Sequence, residues 1–214
     1  MLPWLLQWCV TPSEVSNRVI ALAAAIGLFI VTWAIGWWRR PNPHKRAQQD
    51  AATPLEAWAR AAFFVVTGDV DYGHLPRAEA RQMLIHWWEI HGPHELQHGL
   101  GDLEDAGRPD NAWDLLRFLL VARLGASAQY LTEDDSWARI EPIAQRLQAT
   151  YGGWTEMAQA YVVARRQWKG IAIDGSEDDD GMRRILDNVA RLRDGLWTGV
   201  DWNTPLSDGE RADD

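Results

Sequence analysis

The amino-acid sequence predicts an all-α protein in which one membrane-spanning helix precedes a single helical domain. Residues 19–38 form an uncharged apolar run, about as long as one helix needs to cross a bilayer core of about 30 Å. After this run, apolar residues recur at three- and four-residue spacing, and no segment alternates as a strand would. The sequence therefore predicts an extracytoplasmic N-terminus (1–18), the span, a linker (39–52), a helical domain (53–206) and a disordered tail (207–214).

The residues that flank the apolar run indicate its direction. Four basic residues follow the run within eight positions, whereas Arg18 is the only basic residue before it. The positive-inside rule then places the helical domain in the cytoplasm. A cleaved signal peptide is the alternative, but it requires a basic n-region and a small-residue cleavage site. Residues 1–10 contain no basic side chain, so the uncleaved anchor is the favoured interpretation.

Charge and composition exclude several classes of function. The formal net charge is −9, and residues 1–50 contain five Lys/Arg and two Asp/Glu, so residues 51–214 carry −12. A field of that sign repels phosphate backbones, and we expect no nucleic-acid binding. The single cysteine, Cys9, allows no intrachain disulfide. Because neither a Gly-rich phosphate loop nor a nucleophile elbow occurs, we expect no cofactor and no common covalent mechanism.

Capping signals mark the first four helices of the domain. Residues 53–56 (Thr-Pro-Leu-Glu) form a capping box with proline at the first helical position, and Gly68 lies near the end of that helix. We expect a second helix at residues 76–88 and a third at residues 93–107. Residues 111–124 are apolar almost all round, which predicts the central helix.

Three further helices complete the predicted domain. Two apolar ladders flank Gly152-Gly153 and predict an antiparallel hairpin. Their members are Trp137, Ile140, Ala144, Leu147 and Tyr151, then Trp154, Met157, Tyr161, Ala164 and Trp168. We expect Trp154 and Trp168 in the core, and Pro142 should kink the first helix near Ala138. An acidic loop at residues 174–180 leads into the last helix, where its carboxylates suit the helix dipole. The inward residues of that helix are Met182, Ile185, Val189 and Leu192.

Tryptophan-containing stretches recur from residue 112 onward. They are Ala112-Trp113-Asp114-Leu115-Leu116-Arg117, Tyr130-Leu131-Thr132-Glu133-Asp134 with Trp137, Trp154 with Tyr161, Arg165 and Trp168, and Trp197 with Asp201-Trp202. With Trp88-Glu89-Ile90 before them, they resemble a bacterial family known as domain of unknown function 1266, over roughly residues 80–206. Gln129 and Ala164 stand where a glycine is usual, and Gly153 replaces a Ser-type helix cap. The resemblance implies a helical fold and no established reaction.

The segment at residues 94–98 (HELQH) matches the HExxH pattern of zinc peptidases. In that pattern two His at i and i+4 bind one zinc and the Glu acts as general base. Here, however, the histidines point about 160° away from Leu96, which lies on the apolar face of the helix. We therefore favour a solvated face and predict no metal site. A zinc-dependent hydrolase is the alternative, and its residues are His94, Glu95, His98 and Glu104.

Charged and aromatic residues supply the candidate interaction site. Asp114 and Arg117 share a helical face, and we favour an intrahelical ion pair over a polar pocket. Arg165 and Arg166 are able to bind an anionic ligand, but we expect them to pair with Asp114 or Glu133. Residues 51–214 contain nine tryptophans, most of them expected in the core. An exposed cluster is expected to act as a binding hot spot, and its members are Trp87, Trp197 and Trp202.

The leading hypothesis is a membrane-anchored, non-enzymatic protein-interaction module with a single pass through the inner membrane and a cytoplasmic domain. One form of it is an immunity or regulatory protein that acts on a toxin or an envelope machine. The predicted interaction residues are Trp197, Trp202, Asp114, Arg117 and Arg165. The alternatives are the zinc-dependent hydrolase and a small-ligand sensor with an aromatic pocket and Arg165. No sequence feature separates the first hypothesis from the sensor.

Overall fold

The structure is a computed structural model that describes residue 51 and residues 53–68, 74–105 and 111–207. This part of the chain contains seven α-helices, one short 3-10 helix and no strand, which confirms the all-α prediction there. The elements are α1 (Pro54–Thr67), α2 (Arg77–Trp88), α3 (Pro93–Asp105), α4 (Ala112–Ser127), α5 (Glu133–Thr150), α6 (Trp154–Lys169), α7 (Asp180–Arg193) and the 3-10 helix (Leu196–Thr198).

Several predictions fall on residues that the structure does not describe. The expected span at residues 19–38, the segment before it and the tail beyond residue 207 all lie outside the described residues. The chain divides into two units, residues 1–42 and 43–214, and every described residue belongs to the second. Among the described helices, none combines the length and the apolar character that crossing a bilayer requires.

Side-chain caps start the helices where the sequence predicts them. Thr53 accepts a hydrogen bond from the backbone N–H of Glu56 at 3.1 Å, and Gly68 ends α1 with a left-handed φ of 70°. Asn111 caps α4 through the N–H of Trp113 at 3.0 Å. Each such cap contributes about 1 kcal/mol to the stability of its helix. Helix α1 therefore begins at the predicted cap, whereas α4 begins where its apolar run predicted but with a cap, Asn111, that was not predicted.

Helix α4 is the centre of the domain, as its nearly continuous apolar sequence predicts. It packs against α1, α2, α3, α5 and α6. Its one deeply buried charge is Arg123, whose side chain is 1% exposed. Arg123 Nη1 donates to Glu133 Oε2 at 2.6 Å and to Ser136 Oγ at 3.2 Å, and its guanidinium lies 4.2 Å from the centroid of the Trp137 ring. These contacts fix the start of α5 against the middle of α4.

The predicted antiparallel hairpin of α5 and α6 is wrong. Both helices pack extensively on α4, and they make at most marginal contact with each other. The reason is that both apolar ladders face α4: Ile140 and Leu147 of α5 are buried, as are Met157 and Tyr161 of α6. Helix α5 runs from Glu133 to Thr150 with Pro142 inside it, so the proline does not end the helix.

Four tryptophans form a buried cluster, which we call the indole cluster: Trp58, Trp154, Trp197 and Trp202. The Trp58 N–H donates to the carbonyl of Trp202 at 3.0 Å, and the Trp154 N–H donates to the carbonyl of Val200 at 2.8 Å. The expected exposure of Trp197 and Trp202 is therefore wrong. Both residues lie in the segment after α7 that returns to α1, where backbone carbonyls accept hydrogen bonds from the buried N–H groups of Trp58, Trp154 and Trp197. The N–H of Trp202 is buried without a hydrogen-bond partner.

Gln129 has a φ of 60°, a left-handed conformation that costs a non-glycine residue about 1–2 kcal/mol. We expect Gln129→Gly to raise the free energy of unfolding by about 0.5–1 kcal/mol, because the relief of strain exceeds the entropy that glycine loses on folding. Urea titration measures the change. The matched control is Gln82→Gly on the exposed side of α2, which should lower stability by about 1 kcal/mol. A loss of stability in Gln129→Gly would contradict the expectation.

Candidate ligand-binding cleft

A cleft of about 870 Å³ opens between helices α1, α2, α4, α6 and α7. Its aromatic lining consists of Trp87, Trp88, Trp113, Tyr161 and Trp168. Its charged lining consists of Arg117, Arg165, Lys169, Arg184, Arg191 and Asp187. Residues 51–214 carry a formal charge of −12, yet this cleft gathers five basic residues against one carboxylate. We call it the aromatic-basic cleft.

Arg117 lies between two indole rings on the α4 side of the cleft. Its guanidinium carbon is 4.4 Å from the centroid of the Trp88 ring and 4.7 Å from that of Trp113. The predicted ion pair with Asp114 is present, with Nη1 at 3.5 Å from Oδ1. Burial lowers the pKa of Arg117, and the Asp114 carboxylate opposes this shift. The rings hold the cation by cation–π attraction and leave most of its N–H donors for other partners.

Three buried N–H donors of cleft residues have no hydrogen-bond partner: Trp88 Nε1, Trp113 Nε1 and Arg165 Nη1. Leaving a buried donor unpaired costs about 1–3 kcal/mol, so native proteins contain few of them. Here three belong to residues that line one cleft, although Arg165 Nη1 also lies 3.6 Å from the Asp179 carboxylate, and a fourth, Trp202 Nε1, lies in the indole cluster. It is the basic lining that makes the cleft complementary to a group with negative charge.

Tyr161 forms part of the floor of the cleft. Its side chain is buried, and its ring centroid lies 5.2 Å from that of Trp113. Burial raises the pKa of the Tyr161 phenol, while the positive charges of Arg165 and Arg117 oppose the rise. The phenol is consequently neutral at physiological pH. Among the described residues that line the cleft there is neither histidine nor cysteine.

The cleft gathers residues from several of the stretches that carry the sequence resemblance. They are Trp88, Trp113, Arg117, Tyr161, Arg165 and Trp168. Residues 103–202 match the family model DUF1266, which is the domain of unknown function 1266 and is described as a protein of unknown function. The resemblance expected for residues 80–206 is thus confirmed over this narrower range, and Trp88 lies outside it. The comparisons with curated proteins and with solved structures gave no match.

The segment that matches DUF1266 supplies the walls of the cleft on α4, α6 and α7, whereas α1 and α2 close it from outside the matched range. Of the predicted interaction residues, Arg117 and Arg165 line the cleft, and Asp114 pairs with Arg117. Trp197 and Trp202 lie in the indole cluster instead. Sequence reasoning missed Trp88, Trp113 and Trp168 as cleft residues, although each of them belongs to the resemblance.

Trp168 is not a core residue, contrary to prediction. Its side chain is 65% exposed, and its ring lies at 5.4 Å and 31° from the ring of Trp113. Trp154, at the other end of the same ladder, is buried as expected. The difference arises because α6 packs on α4 through its earlier turns, while its last turn borders the cleft. Trp87, on the last turn of α2, is the other exposed cleft tryptophan, at 57%.

The basic residues near the end of α6 pair with the acidic loop rather than with Asp114 or Glu133. Arg166 holds Asp178 through two hydrogen bonds, of 2.8 Å and 2.5 Å. Asp179 pairs with Lys169 and lies 3.6 Å from Arg165 Nη1. The predicted partners of Arg165 and Arg166 are therefore wrong. The loop between α6 and α7 folds back along the end of α6, which sequence spacing did not indicate.

We expect the acidic loop to make stability depend on pH. The hydrogen bond from Arg166 holds the pKa of Asp178 below its ordinary value. A carboxyl group with a lowered pKa stabilises the fold above its unfolded pKa, near 4, and this contribution is lost as the pH falls towards the folded value. Asp178→Asn should therefore lower the melting temperature at pH 7, and its difference from wild type should shrink as the pH falls below about 5. Asp102→Asn, on the exposed side of α3, is the control. A difference that is constant with pH would contradict the assignment.

The HELQH segment lies at the start of α3, away from the cleft. His94 and His98 are exposed, with their ring centroids 4.7 Å apart. The predicted apolar face is confirmed, since Leu96, Leu100 and Leu103 are all buried. Within the described ranges, no group of three or more His, Cys, Asp or Glu side chains is placed to hold a metal ion. Glu104 is therefore not placed as a third ligand for the two histidines.

Proposed function

We propose that this domain is a binding module that takes an anionic ligand into the aromatic-basic cleft. The observation that carries the proposal is the basic lining of the cleft, which sets five Lys and Arg side chains against one carboxylate and holds the Arg117 cation between two indole rings. A ligand with negatively charged oxygens pairs with these cations. It also compensates the basic lining, and hydrogen bonds to charged groups contribute about 1.5–3 kcal/mol each.

The size of the cleft favours a small ligand. Its volume of about 870 Å³ lies within the range of about 300–1,000 Å³ that small-molecule sites occupy. This proposal corresponds to the sensor alternative of the sequence analysis. A membrane tether at residues 19–38 belongs to the proposal on the strength of the sequence alone. The immunity or regulatory role belongs to the separate protein-interaction hypothesis of the sequence analysis.

The Asp179 carboxylate competes with an anionic ligand for two basic residues of the cleft. Its carboxylate pairs with Lys169 and lies close to Arg165, and both of these residues line the cleft. The same carboxylate caps α7 by accepting a hydrogen bond from the N–H of Met182 at 2.7 Å. An anion that binds Arg165 and Lys169 competes with Asp179 for them, and so couples occupancy of the cleft to the start of α7.

The test is isothermal titration of the full 214-residue chain with two anionic probes, citrate and inorganic pyrophosphate. We expect at least one probe to bind, and Arg165→Gln to weaken its binding about tenfold or more, because a charged hydrogen bond is lost. Asp179→Asn should strengthen binding, since asparagine still caps a helix but carries no competing charge. Arg77→Gln, on the exposed first turn of α2, is the matched control. Equal effects of Arg165→Gln and Arg77→Gln would reject the cleft as the site.

A second variant tests the position of Arg165. A Cβ atom on Gly181 would lie 2.8 Å from Arg165 Nη2, so Gly181→Ala forces the guanidinium to move. Alanine is otherwise the better helix residue by about 1 kcal/mol. We therefore expect Gly181→Ala to weaken probe binding while the unfolding midpoint is unchanged or raised. Unchanged binding would show that the position of Arg165 is not needed.

A further inference from the structure

We propose that the anionic ligand is a nucleoside polyphosphate, with its base stacked on Trp168 and its phosphates bound by the arginines of the cleft. This inference rests on the proposed function and adds the chemical class of the ligand. Two observations lead to it: the exposed aromatic rings at the edge of the cleft and the number of basic residues inside it.

The first observation concerns Trp168. Trp168 is 65% exposed, so a large apolar face of its indole is accessible at the edge of the cleft. One side of this indole is supported by Trp113 at 5.4 Å, and the side chain borders the cleft. A supported indole with a free face is the kind of platform on which nucleic-acid bases stack, whichever base is present. The base of the ligand therefore stacks on Trp168. Trp87 is the other exposed indole of the lining.

The second observation is the charge inside the cleft. Among the described residues, five basic residues line it, and Asp114, Asp179 and Asp187 are the carboxylates that line it or pair with its cations. The cleft therefore has an excess of two positive charges, which becomes three when the ligand displaces Asp179. A ligand with a single carboxylate leaves most of this excess uncompensated, whereas a di- or triphosphate matches it. Guanidinium groups also fit phosphate oxygens in a two-pronged geometry.

The exposed Trp168 ring and the arginines of the cleft are close enough to contact one ligand. Trp113 contacts both Trp168 and Arg117: its ring is 5.4 Å from the first, and the guanidinium carbon of Arg117 is 4.7 Å from its centroid. Arg165 lies one helical turn before Trp168 on α6, so both side chains face the cleft. A base on Trp168 thus places its phosphates towards Arg165 and Arg117, whose guanidinium carbons lie 5.9 Å and 4.7 Å from the centroid of the Trp113 ring.

The experiment compares ATP, inorganic tripolyphosphate and adenosine as probes of the full-length chain by isothermal titration. We expect ATP to bind about tenfold or more tightly than tripolyphosphate, because one stacked base contributes roughly 1–3 kcal/mol. Trp168→Ala should remove this advantage and leave tripolyphosphate binding unchanged, and Trp168→Phe should restore part of it. Ile173→Ala, at an exposed apolar position outside the cleft lining, is the control and should change neither affinity.

The outcomes separate this inference from the proposed function. Equal binding of ATP and tripolyphosphate, or ATP binding that is insensitive to Trp168→Ala, would overturn the nucleoside and leave the anion site standing. If neither ATP nor tripolyphosphate binds while citrate does, the ligand is a carboxylic acid and the inference is overturned. If citrate, pyrophosphate and the nucleotide all fail to bind, both the inference and the proposed function are overturned.

Discussion

Replacing Trp154 with alanine should lower the free energy of unfolding by about 3–5 kcal/mol, as truncation of a buried aromatic side chain does. Trp154 lies within 5.6 Å of the rings of Trp58, Trp197 and Trp202, and its N–H donates to the carbonyl of Val200. The substitution opens a cavity between α1, α6 and the segment after α7, and it leaves a buried carbonyl without its donor. Chemical denaturation monitored by circular dichroism measures the change.

Trp168→Ala is the matched control for this prediction, since it makes the same substitution on the same helix. Trp168 is 65% exposed, so its truncation should change the free energy of unfolding by about 1 kcal/mol or less, the usual range for surface positions. A loss in Trp168→Ala as large as the loss in Trp154→Ala would show that the end of α6 belongs to the core after all.

The second large effect is expected at Arg123. Arg123→Ala should lower the free energy of unfolding by about 2–4 kcal/mol, because it removes a 1%-exposed side chain together with its bonds to Glu133 and Ser136. Ser136 then keeps one hydrogen bond, to the carbonyl of Ala122 at 3.1 Å. Thermal and urea unfolding of the variant measure the loss.

Arg123→Met separates packing from charge at this position. Methionine fills much of the same volume and covers the Trp137 ring, and buried ion pairs are often replaceable by apolar side chains at little cost. We therefore expect Arg123→Met to lose less than half as much stability as Arg123→Ala. Equal losses in the two variants would show that the ion pair with Glu133, rather than the volume, stabilises the start of α5.

The helices were predictable from the sequence because their signals are local. The Thr53 cap, the Asp179 cap before α7 and the Asp114–Arg117 pair each depend on residues three positions apart. The difference between the buried Trp154 and the exposed Trp168 was not predictable in this way. Periodicity gives the face of a helix that is buried, but it does not give the point along the helix where the packing partner ends.

The aromatic-basic cleft was predictable only in part, for a similar reason. Arg117 and Arg165 were candidate residues, and the sensor hypothesis included an aromatic pocket. Which helices surround the cleft (α2, α4, α6 and α7 among them) depends on how they pack in three dimensions. The ion pair between Asp178 of the acidic loop and Arg166 depends on the same packing. Trp197 and Trp202 lie outside the α-helices, where no period indicates burial.

The indole cluster also determines when the domain can finish folding during its synthesis. The N–H of Trp58 needs the carbonyl of Trp202, which is 144 residues later in the chain. At about 5–20 residues per second, a ribosome takes about 7–30 s to add that many residues. During this time the apolar side of α1 has no C-terminal segment to cover it. We therefore expect chains that end before residue 196 to be sensitive to protease and to occupy chaperones after release, and chains that extend past residue 206 to become resistant once they leave the ribosome.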